Sequence, residues 1–145
     1  MSDTIKLILT VNSVIDNLTD AGLPDGDPEI NIFTTDGTLA IGERGMKLAF
    51  SETEEGQTTT STLFITDSGI LLMKRGAVES DLRFTEGEAT RSIYHVGPYS
   101  FDMDIRTKRI RNSLTENGGE VQLIYSMNIG GQEKNVRMKI TAKRK

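Results

Sequence analysis

A chain with one histidine and no cysteine has few routes to covalent catalysis. Attack by a serine or threonine hydroxyl needs a neighbouring base to take its proton, and an imidazole base could only be His95. His95 follows Tyr94 in an alternating segment, and no Gly-x-Ser-x-Gly elbow occurs in the sequence. It reads as a strand histidine on an outer face or at a rim. Paired carboxylates could support general acid–base chemistry. Glu52, Glu54 and Glu55 cluster in SETEEG, which reads as a solvated hairpin tip. Asp25, Asp27 and Glu29 in PDGDPE only superficially suggest a calcium loop, because the twelve-residue ligand order and closing glutamate of an EF-hand are missing. That segment reads as an acidic turn. No histidine or cysteine cluster could hold zinc, and no glycine-rich loop leads from a strand into a helix to cradle phosphate. The expectation is a protein that is not an enzyme, with no catalytic residue, no metal site and no cofactor.

Binding chemistry is better represented. Met103, Met127 and Met138 fall on apolar stripes of three separate segments. Their flexible, polarisable side chains suit an adaptable pocket as well as an irregular core. Phenylalanine and tyrosine together number only eight, so a fully filled interior is not guaranteed. Tyr94 and Tyr125 are the candidate hydroxyl donors, and Arg75 or Arg83 the candidate charge for an acidic head group. The expected function is thus non-enzymatic binding of a small apolar or amphipathic ligand. The alternative is an interaction module working through an outer surface, with a protein partner, a second copy of the chain, or RNA. RTKRIRN brings Arg106, Lys108, Arg109 and Arg111 together, enough for tracking a phosphate backbone. It holds no aromatic for base stacking, so nucleic acid is the weaker partner on this reading.

These residues must be positioned by strands, because the hydrophobic period is two wherever it can be read. Tyr99, Phe101, Met103 and Ile105 alternate with Ser100, Asp102, Asp104 and Arg106. Further stripes run through Ile5, Leu7, Leu9 and Val11, through Val121, Leu123, Tyr125, Met127 and Ile129, and through Val136, Met138 and Ile140. Leu82 and Phe84 mark a shorter strand. Turn signals fall at Asp36–Gly37, Asp67–Ser68–Gly69, Glu86–Gly87 and Asn117–Gly118–Gly119. Gly130–Gly131 reads as a two-residue hairpin with positive φ at both centres. The longest loop is residues 18–29, and residues 12–20 offer at most one weak helical turn, since Val14 and Ile15 are β-branched. An open sheet of eight to ten such strands would leave two long edges bare. The expected fold is all-β, one domain spanning residues 1–145, a single antiparallel up-and-down barrel of about 8–10 strands; a sandwich is the alternative.

Length and charge set the remaining bounds. A chain of 145 residues can bury a core without staples. Absence of cysteine suits a reducing compartment. The start MSDTIKLILTVNSV lacks a basic region and an unbroken apolar segment, and no run approaches a spanning helix. A cytoplasmic location without membrane contact is expected. The net charge of −4 divides unevenly: residues 1–102 carry 7 basic and 17 acidic side chains, residues 103–145 carry 10 and 4. A sequence block need not be a surface patch in a barrel, where distant segments interleave.

Residues 69–94, GILLMKRGAVESDLRFTEGEATRSIY, carry a resemblance. Met73, Arg75 and Gly76, then Phe84 and Gly87, then Tyr94 leading into a long alternating strand, resemble the YwiB-like family of bacterial proteins. Thr107, Ile110 and the segment GGEVQLIYSM extend the likeness over nearly the whole chain, most weakly at residues 18–30. Two departures stand out: YHVGPYS places Tyr99 where the family often has glycine, and Lys74 spaces Met73 from Arg75. The resemblance implies a calycin-like, lipocalin-like β-barrel of unknown function. It implies no chemistry beyond the analogy that related barrels often hold a small ligand.

Overall fold

The computed structural model describes residues 4–145; Asp3, in the acidic start, lies outside them. The alternating segments form ten strands: β1 (Thr4–Asn17), β2 (Glu29–Gly42), β3 (Gly45–Glu54), β4 (Gln57–Thr66), β5 (Gly69–Gly76), β6 (Val78–Phe84), β7 (Ala89–Val96), β8 (Tyr99–Asn112), β9 (Gly118–Ile129) and β10 (Gln132–Arg144). Each pairs antiparallel with the next, and β10 returns to β1 from Leu7↔Arg144 to Asn17↔Lys134. The result is a closed up-and-down barrel rather than a sandwich. Closure uses every edge, and one apolar face per strand then turns inward.

The apolar stripes meet in one end of the barrel. Leu7, Leu9, Leu39, Leu48, Leu63, Phe84, Ile105, Leu123 and Ile140 are essentially inaccessible there. Phe84 packs against Tyr125 with ring centroids 4.7 Å apart. Gly37 corrects one expectation, since it lies within β2 and ends no strand. A β-carbon at Gly37 would approach Leu9 Cδ1 to 2.5 Å, so the glycine marks a close approach in the core. Gly130 and Gly131 do form the expected hairpin, with φ of 57° and 88°. Strand β1 runs through Asn17, so the weak helical option is overridden by pairing to both neighbours.

The other end is looser where β2 parts from β3, and a second seam, between β6 and β7, runs from mid-barrel toward the filled end. Strands β2 and β3 pair only from Gly37↔Phe50 to Gly42↔Gly45, so the first half of β2 peels away from β3. Strands β6 and β7 pair through Val78↔Val96 and Glu79↔His95. Beyond those pairs, side chains take over the ladder: Thr90 Oγ1 donates to the Arg83 carbonyl at 2.8 Å and Ser92 Oγ to that of Asp81 at 2.6 Å. In β8 the register slips between Thr107 and Arg109. The Glu86 carboxylate accepts from the Ile110 N–H at 2.7 Å, satisfying the backbone beside the bulge.

Candidate functional site

The peeled end encloses a cavity of about 910 Å³, open to solvent at its mouth. One wall comes from β8, β9, β10 and β1, whose inward positions are Met103, Met127, Ile129, Val136, Met138 and Ile15. The facing wall is polar: Glu52 and Glu54 from β3, Lys74 from β5 and Tyr94 from β7. Ser13, Asn31, Tyr125 and Lys134 complete the lining. The cavity is therefore amphipathic, apolar on one side and charged on the other.

Of the residues singled out by sequence, Tyr94, Tyr125, Met103, Met127 and Met138 all line this space. Burial raises the pKa of both tyrosines, so both hydroxyls stay protonated and able to donate. Arg75 and Arg83 do not reach the cavity, which corrects their assignment as the interior charge. Leu72, Leu82 and Phe84 fix the inward parity of β5 and β6, and it places both arginines outside. Arg75 instead braces the outer surface, donating to the Lys74 carbonyl at 2.7 Å, the Ser80 carbonyl at 3.2 Å and Asp81 at 2.8 Å. The hydrogen bond to Asp81 holds its guanidinium pKa above the usual value.

The interior charge is Lys74, which sequence reasoning treated only as a spacer. It shares its inward parity with the buried Ile70 and Leu72. Burial lowers its pKa by disfavouring the ammonium, an effect the charge of Glu52 partly opposes. SETEEG ends in the expected solvated hairpin tip, with Glu54 and Glu55 exposed, while Glu52 is half-buried. Leu48 and Phe50 set the same inward parity, so the Glu52 and Glu54 carboxylates face the cavity mouth, while the tip itself is Glu55–Gly56.

His95 is exposed on β7, its Nδ1 2.8 Å from Ser100 Oγ. Among the described residues, no group of three or more His, Asp or Glu is placed to hold a metal ion. No helix there is long and apolar enough to cross a membrane. The basic segment of β8 is fully displayed: Arg106, Lys108, Arg109 and Arg111 are all exposed, the bulge turning both Lys108 and Arg109 outward. The strand register adds what the sequence did not. Arg109, Ile124 and Arg137 share one row across β8, β9 and β10, and Arg111, Gln122 and Lys139 share the next. In the second row Lys139 pairs with Glu120 at 3.5 Å.

Comparison with known proteins agrees with this architecture. A family profile described as a domain of unknown function, DUF1934, matches residues 22–141. The uncharacterized beta-barrel protein YwiB of Bacillus subtilis (strain 168) is 25% identical over 136 residues, covering 94% of this chain and 91% of that protein. The crystal structure of ywiB protein from Bacillus subtilis superposes with a TM-score of 0.86 at 24% identity, over 99% of this chain and 95% of that one. At that identity the structural likeness speaks for the fold.

Proposed function

The chain belongs to the DUF1934 family of β-barrel proteins, and from that premise we propose that it binds a small amphipathic molecule in the open half of its barrel. The observation that carries this reading is the contrast within one interior. A barrel able to fill one end with leucine leaves about 910 Å³ at the other, inside the range of small-molecule sites. Three methionines supply an adaptable apolar wall, Lys74 and Tyr94 supply polar anchors opposite it, and Tyr125 adds a hydroxyl beside Met127 on β9. Nothing in this arrangement calls for a nucleophile or a general base, so the reading is binding without turnover.

Native mass spectrometry of the purified protein, set against its denatured mass, tests the reading. Extra mass in the native spectrum that disappears in the cavity-filling variant Met127→Trp supports it. A clean native mass, together with no uptake of an added neutral hydrophobic dye, would remove it.

A second reading rests on the basic rows of β8 and β10. Six exposed cations on β8 and β10, which flank β9, form a surface to which a phosphate backbone could bind without base stacking. Labelled single-stranded RNA titrated at two salt concentrations tests it. The double reversal Arg109→Glu with Arg137→Glu should abolish salt-dependent binding, and its failure to do so would end this reading.

A further inference from the structure

Three consecutive strands, β4 to β6, carry a single row of polar side chains on the inner wall. The β4–β5 register sets Ser61 opposite Lys74, and the β5–β6 register sets Lys74 opposite Ser80. On β7, beyond the last β6–β7 pair, Tyr94 lines the same cavity as Lys74. The row beneath is Leu63, Leu72 and Leu82, all buried. Hydroxyls and an ammonium laid directly on a leucine layer are costly unless something answers them.

Little within the chain does so. Ser61 and Ser80 are 2% and 4% exposed, and Ser80 Oγ has no hydrogen-bond partner. Among the described residues four polar side chains are fully buried, Thr59, Ser61, Ser80 and Thr107, and three of these sit on the strands that flank Lys74. Lys74 makes no ion pair among the described residues, although Glu52 shares its cavity.

We propose that this part of the wall is an oxyanion site, and that the cavity's ligand carries a singly charged head group, a carboxylate in the simplest case, held by Lys74 and Tyr94, with the unpartnered Ser80 hydroxyl beside Lys74. The inference rests on the cavity being a binding site, and it names the ligand's chemistry. An ammonium offers three donors and the tyrosine hydroxyl one, while a carboxylate accepts about four hydrogen bonds, so the groups match in kind and number. The head group would restore an ionic partner to an ammonium that burial disfavours. The rest of the ligand would lie along Met103, Met127 and Met138. Glu52 and Glu54 at the mouth repel multiply charged anions, which favours a monoanion with an apolar body over free phosphate. From outside, Arg75 clips the carbonyls of Lys74 and Ser80 together and so acts as a positioning residue for the pair.

The test compares two dyes of the same skeleton, anionic 1-anilinonaphthalene-8-sulfonate and neutral N-phenyl-1-naphthylamine, on the full chain. The expected result is that the anionic dye binds about tenfold more tightly, the worth of one charge-assisted contact. Lys74→Met should erase that preference while the neutral dye still binds, and Lys74→Arg should keep most of it. Glu52→Gln should tighten the anionic dye alone, because it removes a negative charge that shares the cavity with Lys74. A thermal melt confirms that each variant folds. Equal binding of both dyes, unchanged in Lys74→Met, would overturn the oxyanion site and leave the cavity reading standing. Binding of neither dye would overturn both.

Discussion

The two ends of this barrel are built from the same ten strands and answer to different constraints. At the closed end, leucines from neighbouring strands stack in rows. At the open end β2 leaves β3, the inward stripe turns from leucine to methionine, serine, lysine and glutamate, and a cavity remains. The difference separates what holds the fold from what the fold presents. Stability resides in the leucine rows. The open end is spared that duty and can accept polar and flexible side chains that a packed core would reject.

Substitutions should sort by end. The largest effect is expected from Leu63→Ala in the closed half, a loss of about 2–5 kcal/mol because its neighbours cannot collapse into the space. Met127→Ala in the open half is expected to cost about 1 kcal/mol or less, since it enlarges a cavity that already exists. Denaturant unfolding of both variants measures the contrast, and equal losses would break it. Smaller still, and opposite in sign, Ser80→Ala should leave stability unchanged or raise it by up to about 1 kcal/mol, because it removes a buried hydroxyl with no partner. A clear loss would mean that the hydroxyl is satisfied within the chain.

Lys74 gives the smallest and most diagnostic effect, seen in pH dependence. Its folded pKa lies below the unfolded value of 10.5, so between the two the unfolded state binds more protons. Lys74 therefore destabilises the fold at neutral pH, and this is relieved as pH rises through its folded pKa towards 10.5. Glu52, Glu54, Lys134, Tyr94 and Tyr125 face the same space. The raised pKa values of the two tyrosines make them cost stability above their ordinary value of 10. The comparison is therefore cleanest below pH 10. There, wild-type melting temperature should gain on that of Lys74→Met as pH rises, and parallel curves would show that Lys74 is freely solvated.

Much of the fold was legible because alternation needs only the sequence. The stripes through Leu7, Val121 and Val136 announce strands directly, and the same parity put three methionines and two tyrosines on the inner wall. Lys74 escaped notice for a physical reason. In GILLMKRG both parities carry apolar side chains, so nothing local marks which face Lys74 shares with Ile70 and Leu72. Arg75, with the more conspicuous guanidinium, sits on the outer face. The basic rows were hidden differently: Arg109 meets Arg137 only through a register that β9 sets and the β8 bulge shifts. Gly37 misled because a glycine after aspartate marks a turn more often than a close approach to leucine.

The central claim, that the open end and not the closed one accepts a molecule, is most directly tested by methyl NMR of the protein labelled at its methionine ε-carbons. Titration with N-phenyl-1-naphthylamine should shift the signals of Met103, Met127 and Met138 in the cavity, and leave Met46 against the closed core and Met73 on the outer face of β5 in place. Still signals from all three cavity methyls, or movement confined to Met46 or Met73, would contradict the account.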